Sequence, residues 1–420
     1  MNNPSIKILN DLEKWLAFIE QQHVKDIDMG LERMNLMIER LKLDFSDQKV
    51  ITVAGTNGKG STCVAIEQML ISHGLKVGTT LSPHVIRFNE RIRLQGKELS
   101  DEAICESFEV IEETRGEIPL TYFEFSSLAA LLVFAQHDLD IVILEIGLGG
   151  RLDAFNAIDA DIGVITSIGY DHQEFLGNSL EEIGAEKAGI FRPNQRVVLG
   201  ENMPASVYRL SELNECRQSS FAVDFSISQT RRDEWDYHSK ELSLRSVRLG
   251  SLSPHNLSLG IEVVKNLTII EPDLVAKCLP NIKLQGRMSE LSIDGHRYVF
   301  DVCHNAQGAD FFINELKLRN ITPDFIVCGM FRNKDHAQVY FKMAERIKAE
   351  WVLINTVGVR GFSSDELGKA MAVNATCLTC FDEARSYIKQ HVKEQSTILT
   401  FGSFNVLEQA CASIGADRIC

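Results

Sequence analysis

Residues 50 to 62 read Val-Ile-Thr-Val-Ala-Gly-Thr-Asn-Gly-Lys-Gly-Ser-Thr, an apolar run that meets three glycines, a lysine and two hydroxyls before a helical pattern begins. This order is a physical recipe for holding phosphates. Glycines let backbone N–H groups face an anion, and the helix that follows adds partial positive charge at its N-terminus. Lys59 is placed to neutralise terminal phosphate oxygens, and Ser61 or Thr62 to reach a phosphate or its Mg2+. The stretch departs from the strict G-x-x-x-x-G-K-[ST] spelling, because Val53, followed by Ala54, stands where its first glycine would fall before Gly58, and Gly60 separates the lysine from Ser61. The simpler alternative is a glycine-rich strand-to-helix turn with a surface lysine.

A loop of this kind needs a buried strand before it, and the chain supplies several. "KVITVAG", "KVGTTLS", "LDIVILEIG" and "DIGVITSIG" are near-continuous apolar runs that alternate with helical sequence. That alternation implies a parallel sheet covered on both faces. Apolar residues at helical spacing over 8–21 and 31–43 predict two helices before the first strand, and "STCVAIEQMLISHG" predicts a third, ending at Gly74. Residues 200–255 show polar alternation and read as an antiparallel segment. From about residue 285, "YVFDVCH", "FIVCGM", "WVLINTVG" and "STILTFGS" alternate with helical runs around 306–319, 335–349, 382–394 and 405–414. The expected fold is therefore α/β, with a phosphate-loop ATPase domain over residues 1–284 and a second α/β domain over 285–420.

Bulk properties narrow the function classes. A chain of 420 residues suits two or three domains, and 45% hydrophobic with 24% charged residues is ordinary for a globular protein. A net charge of −15 argues against an electrostatic nucleic-acid binder, which needs clustered Lys and Arg. The N-terminal stretch lacks the features of a signal peptide, and no run is apolar and long enough for a membrane helix. Ten scattered cysteines fit a reducing cytoplasm. Cys377 and Cys380 have C-x-x-C spacing with no second pair for zinc, so a structural role on a short strand is expected.

Other candidate groups fall at the ends of predicted strands, the edge where ligands bind in open α/β sheets. Ser82 precedes Pro83 and His84, and by chemistry alone reads as a turn residue. Glu145 sits inside an apolar run, and a buried carboxylate is tolerated when it is paired or metal-bound. Asp171 and His172 end "VITSIGYDH", where a structural histidine is the plainer reading. One Mg2+ could draw on the Glu145 carboxylate, the Ser82 hydroxyl, phosphate oxygens and water. Lys187 in "GAEKAGIF" reads as a solvated lysine. In the second domain Asp301, His304 and Asn305 end one strand, Lys334 and Asp335 follow the next, and "FGSF" turns into a helix.

Taken in order, "IDMGLERM", "GTNGKGS", "SPH", "FNERI", "LTYFEF", "LEIGLGGRLDA", "TSIGYDH", "EKAGIF", "FDVCHN" and "FGSF" resemble the dihydrofolate synthase/folylpolyglutamate synthase family of the Mur ligase superfamily. The resemblance runs from about residue 27 to 405. It implies an N-terminal ATPase domain and a C-terminal Rossmann-like domain that closes over it. By position it implies an ATP loop at Thr56, Asn57, Gly58, Lys59, Gly60 and Ser61, with further nucleotide contacts at Asn256, Arg287 and Asp301 and with His304 nearby. Magnesium ligands are implied at Ser82, Glu145 and His172. Lys187 corresponds to an N-carboxylated lysine able to hold a second Mg2+, against its reading as solvated. A pterin pocket is implied at Asp28, Met29, Gly30 and Leu31, at Thr121, Tyr122, Phe123 and Glu124, and at Leu152, Asp153 and Ala154. Gln285, Ala306 and Asn333 stand where the family commonly has Pro, Pro and an acid, and the stretch around Asn256 reads "SPHNLSLG" rather than an alanine-rich helix start.

The activity implied is ATP-dependent amide-bond formation, with catalytic parts for Lys59, His172 and Lys187. ATP phosphorylates the carboxylate of dihydropteroate or of a folate, and the amine of L-glutamate displaces the phosphate. The expected partners are ATP, dihydropteroate, folates and L-glutamate, with no nucleic acid and no membrane, and the expected state is a cytoplasmic monomer. Three readings compete: a folylpolyglutamate synthase without the dihydropteroate activity, a Mur-type ligase of a nucleotide-linked sugar, and a phosphate-loop ATPase switch. Residues 1–49 are too short for a separate sugar-nucleotide domain, which weighs against the second.

Overall fold

The computed structural model describes residues 11–23, 27–231, 233–392, 395–416 and 419. The expected helical residues 8–10, 393 and 394 lie outside these. The chain divides into two compact units, one of residues 1–168, 174–225 and 259–271, the other of 169–173, 226–258 and 272–420. A single division at 284/285 does not describe this grouping, because 226–258 and 272–284 fall with the C-terminal residues.

The first unit is built on eight strands: β1 (Lys49–Ala54), β2 (Val77–Thr80), β3 (Ile92–Leu94), β4 (Lys97–Glu98), β5 (Ile141–Glu145), β6 (Ile162–Ile165), β7 (Arg196–Leu199) and β8 (Arg217–Ser220). They lie in the order β4-β3-β2-β5-β1-β6-β7-β8. From β2 to β8 every pair is parallel, while β3 and β4 run antiparallel. The residues of β2, β5 and β6 are all buried, as two-sided cover of a parallel sheet requires. Because neighbouring strands run together, their C-terminal ends share one edge: Val53 registers with Glu145 and Ala54 with Ile165. The helix Lys59–Ser72 starts from this edge and packs on β1, β2 and β5. The predicted early helices form over Leu12–Ile19 and Glu32–Leu41.

The antiparallel expectation for 200–255 holds only in part. A helix forms at Ala205–Leu213, and β8 adds to the parallel sheet. The antiparallel part is the pairing of β10 (Glu234–Ser239) with β11 (Ser243–Arg248), in a three-stranded sheet that β9 (Phe225–Arg231) completes beside β10.

The second unit carries β12 (Ser289–Ile293), β13 (His296–Phe300), β14 (Phe325–Cys328), β15 (Glu350–Ile354), β16 (Thr376–Leu378) and β17 (Thr397–Phe401). Their order is β12-β13-β17-β14-β15-β16, parallel apart from the β12–β13 hairpin. The four predicted strands and four predicted helices are present, together with an added helix at Ser364–Met371. Cys377 lies on the short β16, and both it and Cys380 are free thiols. Among the described residues no helix is long and apolar enough to cross a membrane.

Candidate active site

The phosphate-type loop leaves β1 through two glycines that the backbone requires. Gly55 has φ +152°, and a Cβ there would lie 1.9 Å from Thr166 Oγ1. Gly58 caps the helix in the left-handed region at φ +86°. The end of β6 holds the loop in place. Thr56 N–H donates to the Ser167 carbonyl at 2.8 Å, Asn57 N–H to Ser167 Oγ at 3.0 Å, and Thr166 Oγ1 donates to the Asn57 carbonyl at 2.7 Å. The helical ladder begins with Thr62 N–H donating to Gly58 at 3.0 Å, so the amides just before it have no acceptor within the helix. Lys59 Nζ stays on the loop, donating to the Gly55 carbonyl at 3.1 Å.

Two of the three expected metal ligands meet on the same edge. The Ser82 N–H donates to Glu145 Oε2 at 2.7 Å, and Glu145 N–H donates to Thr80 Oγ1 at 2.9 Å. Glu145 is 3% exposed. Ser82 stands two residues past the end of β2, and its bond to Pro83 is cis. His172 belongs to the second unit, with a left-handed φ of +51° and its N–H on Asp171. Among the described residues no three His, Cys, Asp or Glu side chains gather closely enough to hold an ion by themselves. A buried carboxylate and a serine beside a phosphate loop are instead a hard-oxygen donor set that fits a cation shared with phosphate oxygens.

Lys187 is not the solvated residue its chemistry suggests. It is 5% exposed, and its Nζ donates to the Gly55 carbonyl at 3.0 Å. A lysine placed there by the helix Leu180–Ala188 sits on the phosphate loop itself.

The residues expected for a pterin form one region of the first unit. Thr121 caps the helix Tyr122–Ala135 reciprocally with Glu124, which receives the Thr121 N–H at 2.8 Å. Arg33, which the sequence reading missed, ties Glu124 to Asp28: its Nε lies 3.0 Å from both Glu124 oxygens and its Nη1 2.8 Å from Asp28 Oδ2. It lies three residues after Gly30 in "IDMGLERM", one helical turn on, and that spacing was the available signal. Asp153 is buried and accepts from the N–H groups of Gly147, Leu148 and Phe155. Burial outweighs these three donors and pushes its carboxyl up to about 6. The Phe123 ring packs on Gly147, where a Cβ would lie 2.5 Å from it, and meets Phe155 edge-on at 5.7 Å. Leu152 and Ala154 flank Asp153, and Met29, Gly30 and Leu31 lead into the helix that carries Arg33.

In the second unit the C-terminal ends of β13, β17 and β14 adjoin. Asp301 accepts from Met288 N–H at 3.2 Å and Cys303 N–H at 2.9 Å, and burial raises its carboxyl against the pull of Arg287. Arg287 lies 5.7 Å from the ring centroid of Phe404, the last residue of "FGSF". Asn256 is buried in the first turn of the helix Pro254–Lys265. Asp171 collects Lys334 Nζ at 2.9 Å, Asn305 Nδ2 at 3.1 Å and His304 Nε2 at 3.3 Å.

Residues 53–269 match the Mur ligase middle domain. With its glycine-rich loop on a parallel sheet and a carboxylate on the adjacent strand end, the chain is a Mur-type ligase. A dihydrofolate synthase/folylpolyglutamate synthase of Haemophilus influenzae is 38% identical, over 99% of this chain and all of that one. The Escherichia coli enzyme in complex with DHPP and ADP superposes with a TM-score of 0.90 at 34% identity, covering 96% of this chain and 97% of that one. The bifunctional enzyme of Yersinia pestis, complexed with AMPPNP and a manganese ion, gives a TM-score of 0.90 at 34% identity over 99% and 100% of the two chains. The chain belongs to the dihydrofolate synthase/folylpolyglutamate synthase family.

Proposed function

We propose that the protein joins L-glutamate to the carboxylate of dihydropteroate, forming dihydrofolate, and adds further glutamates to folates, with ATP as the driving substrate. The observation that carries this reading is the shared sheet edge, where the phosphate loop, the Ser82–Glu145 pair and Lys187 stand together beside β1.

A carboxylate has a poor leaving group, so its oxygen must first attack the terminal phosphorus of ATP, releasing ADP and leaving an acyl phosphate. The glutamate amine then attacks the acyl carbon, loses a proton, and phosphate departs. Thr56, Asn57, Gly58, Gly60 and Ser61 would cradle the ATP phosphates through backbone amides, and Lys59 would neutralise the charge of the transferring group. Ser82, Glu145 and His172 would hold Mg2+, which bound there supplies charge neutralisation to the phosphate oxygens. Lys187, as a carbamate, would hold a second ion. The carbamate nitrogen keeps one N–H, enough for its bond to Gly55. By the family resemblance, Asn256, Arg287, Asp301 and His304 are further candidates for nucleotide contacts. Asp28 to Leu31, Thr121 to Glu124 and Leu152 to Ala154 would receive the pterin.

The test is ADP release from ATP with Mg2+ and L-glutamate, comparing dihydropteroate, tetrahydrofolate and no acceptor. Turnover with both acceptors is expected. Turnover with tetrahydrofolate alone would reduce the activity to polyglutamylation. If ATP-binding protein released no more ADP with either acceptor than without one, the folate assignment would fall.

A further inference from the structure

Arg91, in "FNERI", has no part in the chemistry above, yet its surroundings are unusual for a guanidinium. Its Nε donates to His84 Nδ1 at 2.7 Å, a ring nitrogen that must carry a lone pair and so brings no negative charge. Its Cζ lies 5.7 Å from the ring centroids of both Phe88 and Tyr122, which meet each other edge-on. Among the described residues Arg91 makes no ion pair. Other arginines of the same unit differ: Arg93, two residues on, holds Glu67 through Nε and Nη2 at 3.1 and 2.8 Å, and Arg33 and Arg115 each hold carboxylates. Burial works against the Arg91 charge, and the Glu145 and Glu90 carboxylates offset it only in part. A half-buried cation with its terminal nitrogens uncompensated is costly, and a bound anion would relieve that cost.

Its position says which anion. The Arg91 carbonyl accepts the Leu81 N–H at 3.0 Å, so Arg91 stands directly across from the residue before Ser82, whose N–H lies on Glu145. On its other side Tyr122 is the first residue of the helix that carries Glu124. Arg91 therefore spans the expected pterin region and the expected phosphoryl-transfer edge, the interval an acceptor substrate must bridge.

We propose that the Arg91 guanidinium receives the reacting carboxylate of the acceptor, aryl in dihydropteroate and γ-glutamyl in a folate, and holds it for attack on ATP. The inference rests on the folate-ligase reading. Guanidinium geometry matches a carboxylate in two-point contact, and the five N–H donors are permanently charged, so Arg91 positions the group without exchanging a proton. His84 on Nε and the two aromatic rings fix the fork, leaving Nη1 and Nη2 for the ligand.

The experiment compares two ligands and two proteins. With ADP and Mg2+ present, dissociation constants are measured calorimetrically for dihydropteroate and for its analogue with an unsubstituted aniline in place of the aminobenzoate. Wild-type protein should prefer dihydropteroate by about 10- to 100-fold, the worth of one charge-assisted pair. In Arg91→Gln the two ligands should bind alike, with the analogue at its wild-type affinity. In Arg91→Lys, which keeps the charge but not the fork, a reduced preference should survive, and this variant serves alone if the glutamine protein does not fold. If Arg91→Gln weakens both ligands equally, Arg91 only packs the aromatic cluster and the proposal is wrong. A wild-type preference that persists undiminished in the variants also overturns it. If wild-type protein binds neither ligand, the folate reading fails first and takes this inference with it.

Discussion

The backbone N–H of Ser82 points at Glu145 Oε2 from 2.7 Å, across two neighbouring parallel strands. One oxygen of a buried carboxylate is thus fixed by the chain that carries the other expected metal ligand. Glu145→Gln keeps an acceptor for that N–H and removes only the charge. The variant should melt close to wild type while ligation falls by about 100- to 1,000-fold, the scale for deleting one electrostatic element of an active site. Steady-state ADP release and a thermal melt check this. Wild-type turnover in the variant would remove Glu145 from the metal site.

Gly55 makes a sharper test of the loop. Its φ of +152° and the 1.9 Å approach to Thr166 Oγ1 leave no room for a methyl group. Thr166 Oγ1 cannot retreat freely, because it also donates to the Asn57 carbonyl. Gly55→Ala should lower stability by about 2–3 kcal/mol and abolish AMPPNP binding, with urea unfolding and calorimetry as the measurements. Adding Thr166→Ala should recover part of the stability, since it removes the atom that the methyl group strikes.

These two sites were legible because their signals are local. Glycines, a lysine and hydroxyls in one order define a loop whatever surrounds it, and an acid inside an apolar strand stands out at once. Lys187 was opaque for the opposite reason: its neighbours in sequence are mixed, and its burial comes from Gly55, 132 positions away. Arg33 and Arg91 escaped because an arginine on a polar helix face or in a loop looks solvated until its partners across the fold are known. The strand β8 reads Arg-Gln-Ser-Ser, with nothing β-branched to announce it, and it is a strand because it lies at the edge beside β7. Polar alternation over 200–255 therefore pointed to an antiparallel sheet where a helix and a parallel edge strand come first.

Asp171 and Lys334 pair at 2.9 Å with side chains 13% and 9% exposed. Burial would raise the Asp171 carboxyl, but the His304 hydrogen bond and the charges of Lys334, His304 and His172 hold it well below the usual carboxylate range. A depressed folded pKa means stability that is present above the unfolded value near about 4 and lost as pH falls. Lys334→Met strands a buried carboxylate, so it should cost about 3 kcal/mol at pH 7. The cost should shrink at about pH 3, where the unfolded Asp171 is already protonated. Urea unfolding of both proteins at the two pH values measures it, and an equal cost at both would locate the effect in packing instead.

Asp153 shifts the other way. Its two oxygens accept three backbone N–H groups, which favour the ion, yet burial prevails and pushes the carboxyl up to about 6. Between its unfolded value near about 4 and that raised value the folded protein binds the proton more tightly, so stability falls as pH rises through this window and is level above it. A shift of about two units is at most about 3 kcal/mol. Asp153→Asn carries no titrating proton and should flatten that slope. It should also be less stable overall, because an amide has one oxygen and turns its NH2 toward a backbone donor. The slope is therefore the readout, taken from urea unfolding at half-unit steps from pH 4 to 7. If wild type and variant show the same slope, another group titrates in this window and Asp153 is ionised throughout.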